Sequence, residues 1–176
     1  MIGGLAMCGK GIGERSSYGY RMAGIGKITL HCEGDAIIAL EMNAPERADG
    51  PPPLETEALA EASRQLGMYL GGRRRSFDLR LEPRGTPFQR MVWEELMKIP
   101  FGQSLTYGQL ATRLGTKKAA RAVAGACGRN PLAIFIPCHR VVASNGAIGG
   151  YFWGVAIKRM LLTLEKSVLD RGEQSL

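Results

Sequence analysis

The chain has 176 residues, 45% hydrophobic and 22% charged, with 23 Lys and Arg against 16 Asp and Glu for a formal charge of +7. Such a length buries a real core in one large or two small domains, and the composition excludes a disordered or collagen-like chain. No apolar run approaches the ~20 residues of a membrane span, and the opening MIGGLAMCGKG lacks the basic flank of a secretory leader.

Residues 1–20 are glycine-rich without periodicity and read as a loose segment. KITLHCEGDAIIALEM alternates apolar and polar residues on both sides of Gly34-Asp35, which predicts a β-hairpin with Ile28, Leu30, Cys32, Ile38, Leu40 and Met42 on one face. NAPERADGPPP is a loop by composition. Leu59, Ala62, Leu66 and Tyr69 stand at helical spacing, and Gly71-Gly72 ends that helix. FDLRLE (Phe77 to Glu82) alternates again and predicts a third strand. Residues 21–82 thus form a small antiparallel β-sheet domain with one helix.

A mainly helical domain follows over 83–166. Thr86, Pro87 and Gln89 make a capping box with proline at the first helical position, and Phe88, Met91, Val92, Leu96 and Ile99 give an apolar stripe with Trp93 beside it. Thr106 and Gln109 form a second capping box; Gly115 ends that helix, and Thr116 is placed to cap the next. Two short helices so closely joined predict a helix-turn-helix. The second is slim, built from Ala119, Ala120, Ala122, Ala124, Gly125 and Ala126 around a single Arg121. A helix with ordinary side chains is ~10–12 Å wide and the DNA minor groove ~6 Å, so a slim helix suits an opened minor groove better than major-groove base reading. LAIFI reads as a short buried extended run, Ile157, Met160, Leu161, Leu164 and Val168 as a last amphipathic helix, and residues 167–176 as a fraying tail. The fold class is α+β.

The four cysteines, Cys8, Cys32, Cys127 and Cys138, are far apart and form no CxxC, so neither a zinc site nor a disulfide framework is expected, and a cytoplasmic protein with reduced thiols fits. No metal and no cofactor is implied. The basic residues cluster at Arg73-Arg74-Arg75 and then at Lys117, Lys118, Arg121, Arg129 and Arg140, which points to a polyanionic partner.

The chemistry concentrates in IPCHRVV. Cys138 and His139 share one site only if the chain turns there, and Pro137 suits the start of a helical turn. The local peptide dipoles, His139 and Arg140 then all favour the thiolate at Cys138. His139 is the candidate base beside that nucleophile, with a structural histidine as the alternative, and Glu165, on the border of the last apolar stripe, is the candidate acid that orients it.

GTPFQRMVWEELMKIPFGQSLTYGQLA, KAARAVAGACGRNP, IPCHRVV and GGYFWGVAIKRMLLTLE, in this order from about Arg84 to Glu165, resemble the methylated-DNA–protein-cysteine methyltransferases, the O6-alkylguanine-DNA alkyltransferases. The resemblance implies direct repair. The helix-turn-helix binds duplex DNA in the minor groove through Thr116, Lys117, Lys118, Ala120 and Arg121, and Arg121 fills the gap of an extruded base. Cys138 takes the alkyl group irreversibly from O6-alkylguanine, with O4-alkylthymine as a further candidate substrate. His139 acts through a water as base, Glu165 orients it, Tyr107 donates a proton to the leaving guanine, and Asn130 braces the turn into the cysteine segment with Pro137 and Arg140 beside it. Val141, Tyr151, Phe152 and Trp153 line the pocket, the last two where some relatives carry small residues. A monomer in the compartment that holds DNA is implied. Two rivals stand beside this reading: a non-catalytic lesion sensor of the same fold and a Cys-His-Glu hydrolase.

Overall fold

The structure is a computed structural model that describes residues 15–22, 25–42, 56–116 and 118–173. The expectations on residues 1–14, on the loop at 43–53, on Lys117 and on residues 174–176 of the tail lie outside the described residues.

Three antiparallel strands open the fold in the order β1 (Arg15–Met22), β2 (Gly26–Glu33), β3 (Ala36–Met42). The β2–β3 hairpin is as expected, and Gly34 turns it at φ +62°, a conformation glycine adopts without steric cost. Two expectations fail. Residues 15–20 are not loose, because they pair with β2 from Arg15 opposite Glu33 to Met22 opposite Gly26. Phe77 to Glu82 is not a third strand: its backbone meets β3 only around Ile37, which donates to Arg80 and accepts from Glu82. That contact, with a register shift at His31/Cys32, makes Ile37 the buried residue in place of Ile38.

Helix α1 (Glu57–Leu70) starts where the Thr56 hydroxyl accepts from Leu59 N at 3.2 Å. It packs on β2 and β3, and it buries Leu59, Ala62, Leu66 and Tyr69. Both capping boxes are formed, at Thr86/Gln89 for α2 (Pro87–Met97) and at Thr106/Gln109 for α3 (Tyr107–Arg113). Within α2, Val92, Trp93 and Leu96 are buried, whereas Met91 is 49% exposed and stands at the edge of the expected stripe. Helix α4 (Ala120–Gly128) has no side-chain cap. Thr116 does not serve as one: its hydroxyl turns back to donate to the Ala111 carbonyl, and its own carbonyl accepts from Ala119 N. The small residues of α4 allow close packing on α2 and α3, and the Trp93 indole N–H donates to the Ala126 carbonyl at 2.9 Å.

LAIFI is a tight loop in place of an extended run, with Ile136 N donating to Leu132 O. A short 3-10 turn, Cys138–Arg140, follows, and the last helix, α5, runs over Val155–Glu173, well past the expected end at Lys166. Two short parallel strands, β4 (Leu105–Thr106) and β5 (Val141–Val142), pair across the fold. One apolar core runs without a break from β2 and β3 through α1 to α5.

Candidate active site

The cysteine segment is built by local constraint. Asn130, just past α4, is buried, and its carboxamide binds three ways: Nδ2 donates to Ile136 O at 2.8 Å and to Cys138 Sγ at 3.1 Å, and Oδ1 accepts from Leu132 N at 3.0 Å. Inside the loop so tied, Ile134 has φ +75°, the one non-glycine described residue with positive φ. A β-branched residue is strained there by ~1–3 kcal/mol, which the surrounding packing must hold. Pro137 leads into the 3-10 turn, which sets Cys138, His139 and Arg140 in different directions. Pairing of β4 with β5 then brings Tyr107, the first residue of α3, up to the thiol. Cys138 and Tyr107 line one pocket of about 270 Å3 with Ala124, Cys127, Gly128, Gly150, Tyr151 and Phe152. Val141 and Trp153 are not among its lining residues; Trp153 instead packs edge-on against Phe152, with ring centroids 4.8 Å apart.

The thiol is not a resting thiolate. Cys138 is 6% exposed, and burial pushes its pKa up, opposed only in part by the Asn130 hydrogen bond and the Lys158 ammonium. Of the three influences expected to favour thiolate, only the local backbone acts that way, and burial outweighs it. The turn is only three residues long, Arg140 points away from the sulfur, and burial drives the His139 pKa down, against the partial opposition of Glu165. The Tyr151 hydroxyl lies near enough to the thiol to oppose its rise, yet it has no regular hydrogen-bond partner among the described residues. Lys158 is fully buried on α5, its Nζ donating to Val141 O at 2.7 Å and Gly150 O at 3.2 Å, and it ties the two pocket walls together.

Glu165 is not a stripe-edge residue: it is fully buried at the centre of a donor cluster. His139 Nε2 lies 2.9 Å from Oε1, Arg140 donates through Nε and Nη2 at 2.8–3.0 Å, Gly102 N donates to Oε2 at 2.7 Å, and the Tyr69 hydroxyl donates to Oε1 at 2.5 Å. Gly102 takes φ +75°, and a Cβ there would meet Leu169 Cδ1 at 2.2 Å, so glycine is required for that N–H to reach the carboxylate. Burial alone would raise the Glu165 carboxyl, but His139 and Arg140 outweigh it and hold the pKa at about 2. A carboxylate facing Nε2 places the ring proton on that nitrogen. Nδ1 is left as a buried acceptor with no partner among the described residues. The arrangement is a protonated thiol in the wall of the pocket and, next to it in the chain, a neutral imidazole with a free basic nitrogen backed by a fixed carboxylate.

The profile described as 6-O-methylguanine DNA methyltransferase, DNA binding domain, matches residues 87–167, and the one described as its ribonuclease-like domain matches residues 17–83. The methylated-DNA–protein-cysteine methyltransferase of Mycobacterium bovis is 42% identical over 147 residues, covering 81% of this chain and 88% of that protein. The chain belongs to the methylated-DNA–protein-cysteine methyltransferase family. The Methanosarcina acetivorans relative of the same name is 51% identical over 111 residues, 63% of this chain and 71% of its own. The crystal structure of Mycobacterium tuberculosis OGT in complex with DNA superposes with a TM-score of 0.77 at 40% identity, over 86% of this chain and 93% of that one.

In this methyltransferase-family chain the helix-turn-helix residues lie together on the surface. Thr116 and Lys118 border a shallow groove with Thr112, Gly115 and Ala119. Arg121 is exposed on α4 and makes no hydrogen bond or ion pair with a described residue. His31 stands apart, 3.5 Å from Glu41 on the sheet. Sequence reading missed Tyr69, Gly102, Cys127 and Lys158. Lys158 carried a signal, since it lies seven residues before Glu165 and thus on nearly the same face of one helix. Nothing local marked Tyr69 as more than core.

Proposed function

We propose that this chain is a methylated-DNA–protein-cysteine methyltransferase that repairs O6-alkylguanine in duplex DNA by taking the alkyl group onto its own Cys138. The observation that carries the residue assignment is the buried Cys138 thiol, lining a small pocket with Tyr107 and held by Asn130, next to a His139–Glu165 pair whose Nδ1 is a free acceptor.

The helix-turn-helix enters the minor groove, Arg121 takes the place of the extruded base, and the base enters the pocket. The thiol proton passes by way of a water to His139 Nδ1, and the sulfur attacks the alkyl carbon. An S–C bond forms while the C–O6 bond breaks, its electron pair going to guanine. Tyr107 meets that developing charge with its proton. Burial, the largest cause, pushes its pKa up to about 12, so the hydroxyl is protonated when needed. The proton held on His139 then passes by way of water to the Tyr107 phenolate, so over the whole reaction one proton replaces the alkyl group on guanine and no net charge is created. The product is a thioether, which has no carbonyl for water to attack, so His139 and Glu165 cannot restore the thiol.

The place of action is the compartment that holds the DNA, cytoplasm and nucleoid or nucleus. Among the described residues no helix is long and apolar enough to cross a membrane.

The test is reaction with excess O6-methylguanine duplex followed by peptide mass spectrometry. One methyl per protein, on Cys138, is expected, with transfer abolished and lesion binding kept in Cys138→Ala. Tight binding without transfer would mark a sensor and ester turnover a hydrolase. Repair in several-fold excess over protein, or methyl on Cys8, Cys32 or Cys127, would overturn the assignment.

A further inference from the structure

Of the groups that touch the Glu165 carboxylate, the reaction above gives a part to His139 and none to Tyr69. This residue stands near the end of α1, 70 positions before His139, and its side chain is fully buried. Its ring packs against Phe77 at 5.2 Å between centroids and edge-on to Phe101 at 5.9 Å. Phenylalanine would fill that space equally well, and a buried hydroxyl is favourable only with a partner. The partner is not a spare backbone carbonyl. It is Glu165 Oε1, the oxygen that also faces His139, and the same hydroxyl lies 3.3 Å from His139 Nε2.

We propose that Tyr69 is a positioning residue for alkyl transfer: its hydroxyl, shared between Glu165 Oε1 and His139 Nε2, sets how strongly the carboxylate supports the imidazole and so how basic Nδ1 is. The inference rests on the reading of His139 as the base. Each donor on a carboxylate draws off charge, and a less basic carboxylate stabilises an imidazolium less. From the elements packed around His139, burial, the Arg140 guanidinium and the Lys158 ammonium oppose protonation of the ring and Glu165 favours it. The Tyr69 hydroxyl acts on this balance through Glu165. It keeps the base neutral at rest, and it makes the amino-terminal helix part of the site.

The full chain with Tyr69→Phe tests this. Two readouts apply: the pH dependence of single-turnover transfer from O6-methylguanine duplex, and the NMR titration of the His139 ring, the chain's two histidines being told apart in a His31→Gln background. The acid limb and the His139 titration are expected to move up together by roughly half to one pH unit. Placing 3-fluorotyrosine at position 69, a stronger donor with the same ring, should move both down, and it keeps the test decisive if Tyr69→Phe folds poorly. An unmoved limb and titration, or a rate lowered by one factor at every pH, would overturn the proposal by leaving Tyr69 a packing residue. Absence of transfer by the unaltered chain would strike the functional reading instead, and the His139 titration would still decide the role of Tyr69.

Discussion

Glu165→Gln keeps the shape of the side chain and removes the one negative charge at the centre of the buried cluster. The carboxyl is held at about 2 against its ordinary 4.5. A depression of about 2.5 units is worth ~3 kcal/mol at 1.36 kcal/mol per unit. Stripping one partner from a buried ion pair costs ~3–5 kcal/mol by itself, and Arg140, 8% exposed, would be the stranded partner. A loss of ~3 kcal/mol is a sizeable share of a typical ~5–15 kcal/mol of folding stability. Because the folded pKa lies below the unfolded one, this contribution is complete above about pH 4.5 and is lost as pH falls toward about 2. Urea unfolding of the native chain and the variant should therefore show the full gap at neutral pH and a shrinking gap below about pH 4.5. Glu61, a second depressed carboxyl on the surface, is common to both proteins and cancels. A gap under ~1 kcal/mol at neutral pH, or one that stays constant through about pH 3, would refute the reasoning.

Arg121→Ala should slow repair of duplex DNA by far more than it slows reaction with free O6-methylguanine base, since the side chain is exposed on α4 and does not line the Cys138 pocket; equal losses in single-turnover assays on the two substrates would remove its base-replacing role. Tyr107→Phe should lower the transfer rate by ~10–100-fold while DNA affinity in a filter-binding assay stays near the native value, because the hydroxyl acts only as charge develops on guanine. Unchanged rates would refute that role.

The parts legible in the sequence are those set by neighbours in the chain. Thr86 with Gln89 and Thr106 with Gln109 mark helix starts because the bonds that cap them span three residues. The β2–β3 hairpin is legible because its turn and alternation are local. Strand β1 was not, since RSSYGYRM carries little apolar signal and is a strand only because β2 offers an open edge. Phe77 to Glu82 misled in the opposite direction: Phe77, Leu79 and Leu81 alternate because they cover the core, while the backbone has a ladder partner only at Ile37. In the site, Cys138, His139 and Glu165 were marked by residue type and spacing. Their electrostatics were not, because burial comes from the assembled core and the direction of Arg140 is fixed by Glu165, 25 residues away.

The protonated, walled-in state of Cys138 has a consequence for the life of the molecule before it meets damage. Small electrophiles and oxidants titrate exposed thiolates first, and their rates follow thiolate content and access. Cys138 offers little of either. On the proposed reading each molecule reacts once, so any stray alkylation or oxidation would remove it from service as surely as a repaired lesion. The burial that raises the barrier for casual reagents therefore protects the working fraction of the population, and it confines fast chemistry to the interval when a base fills the pocket and His139 takes the proton.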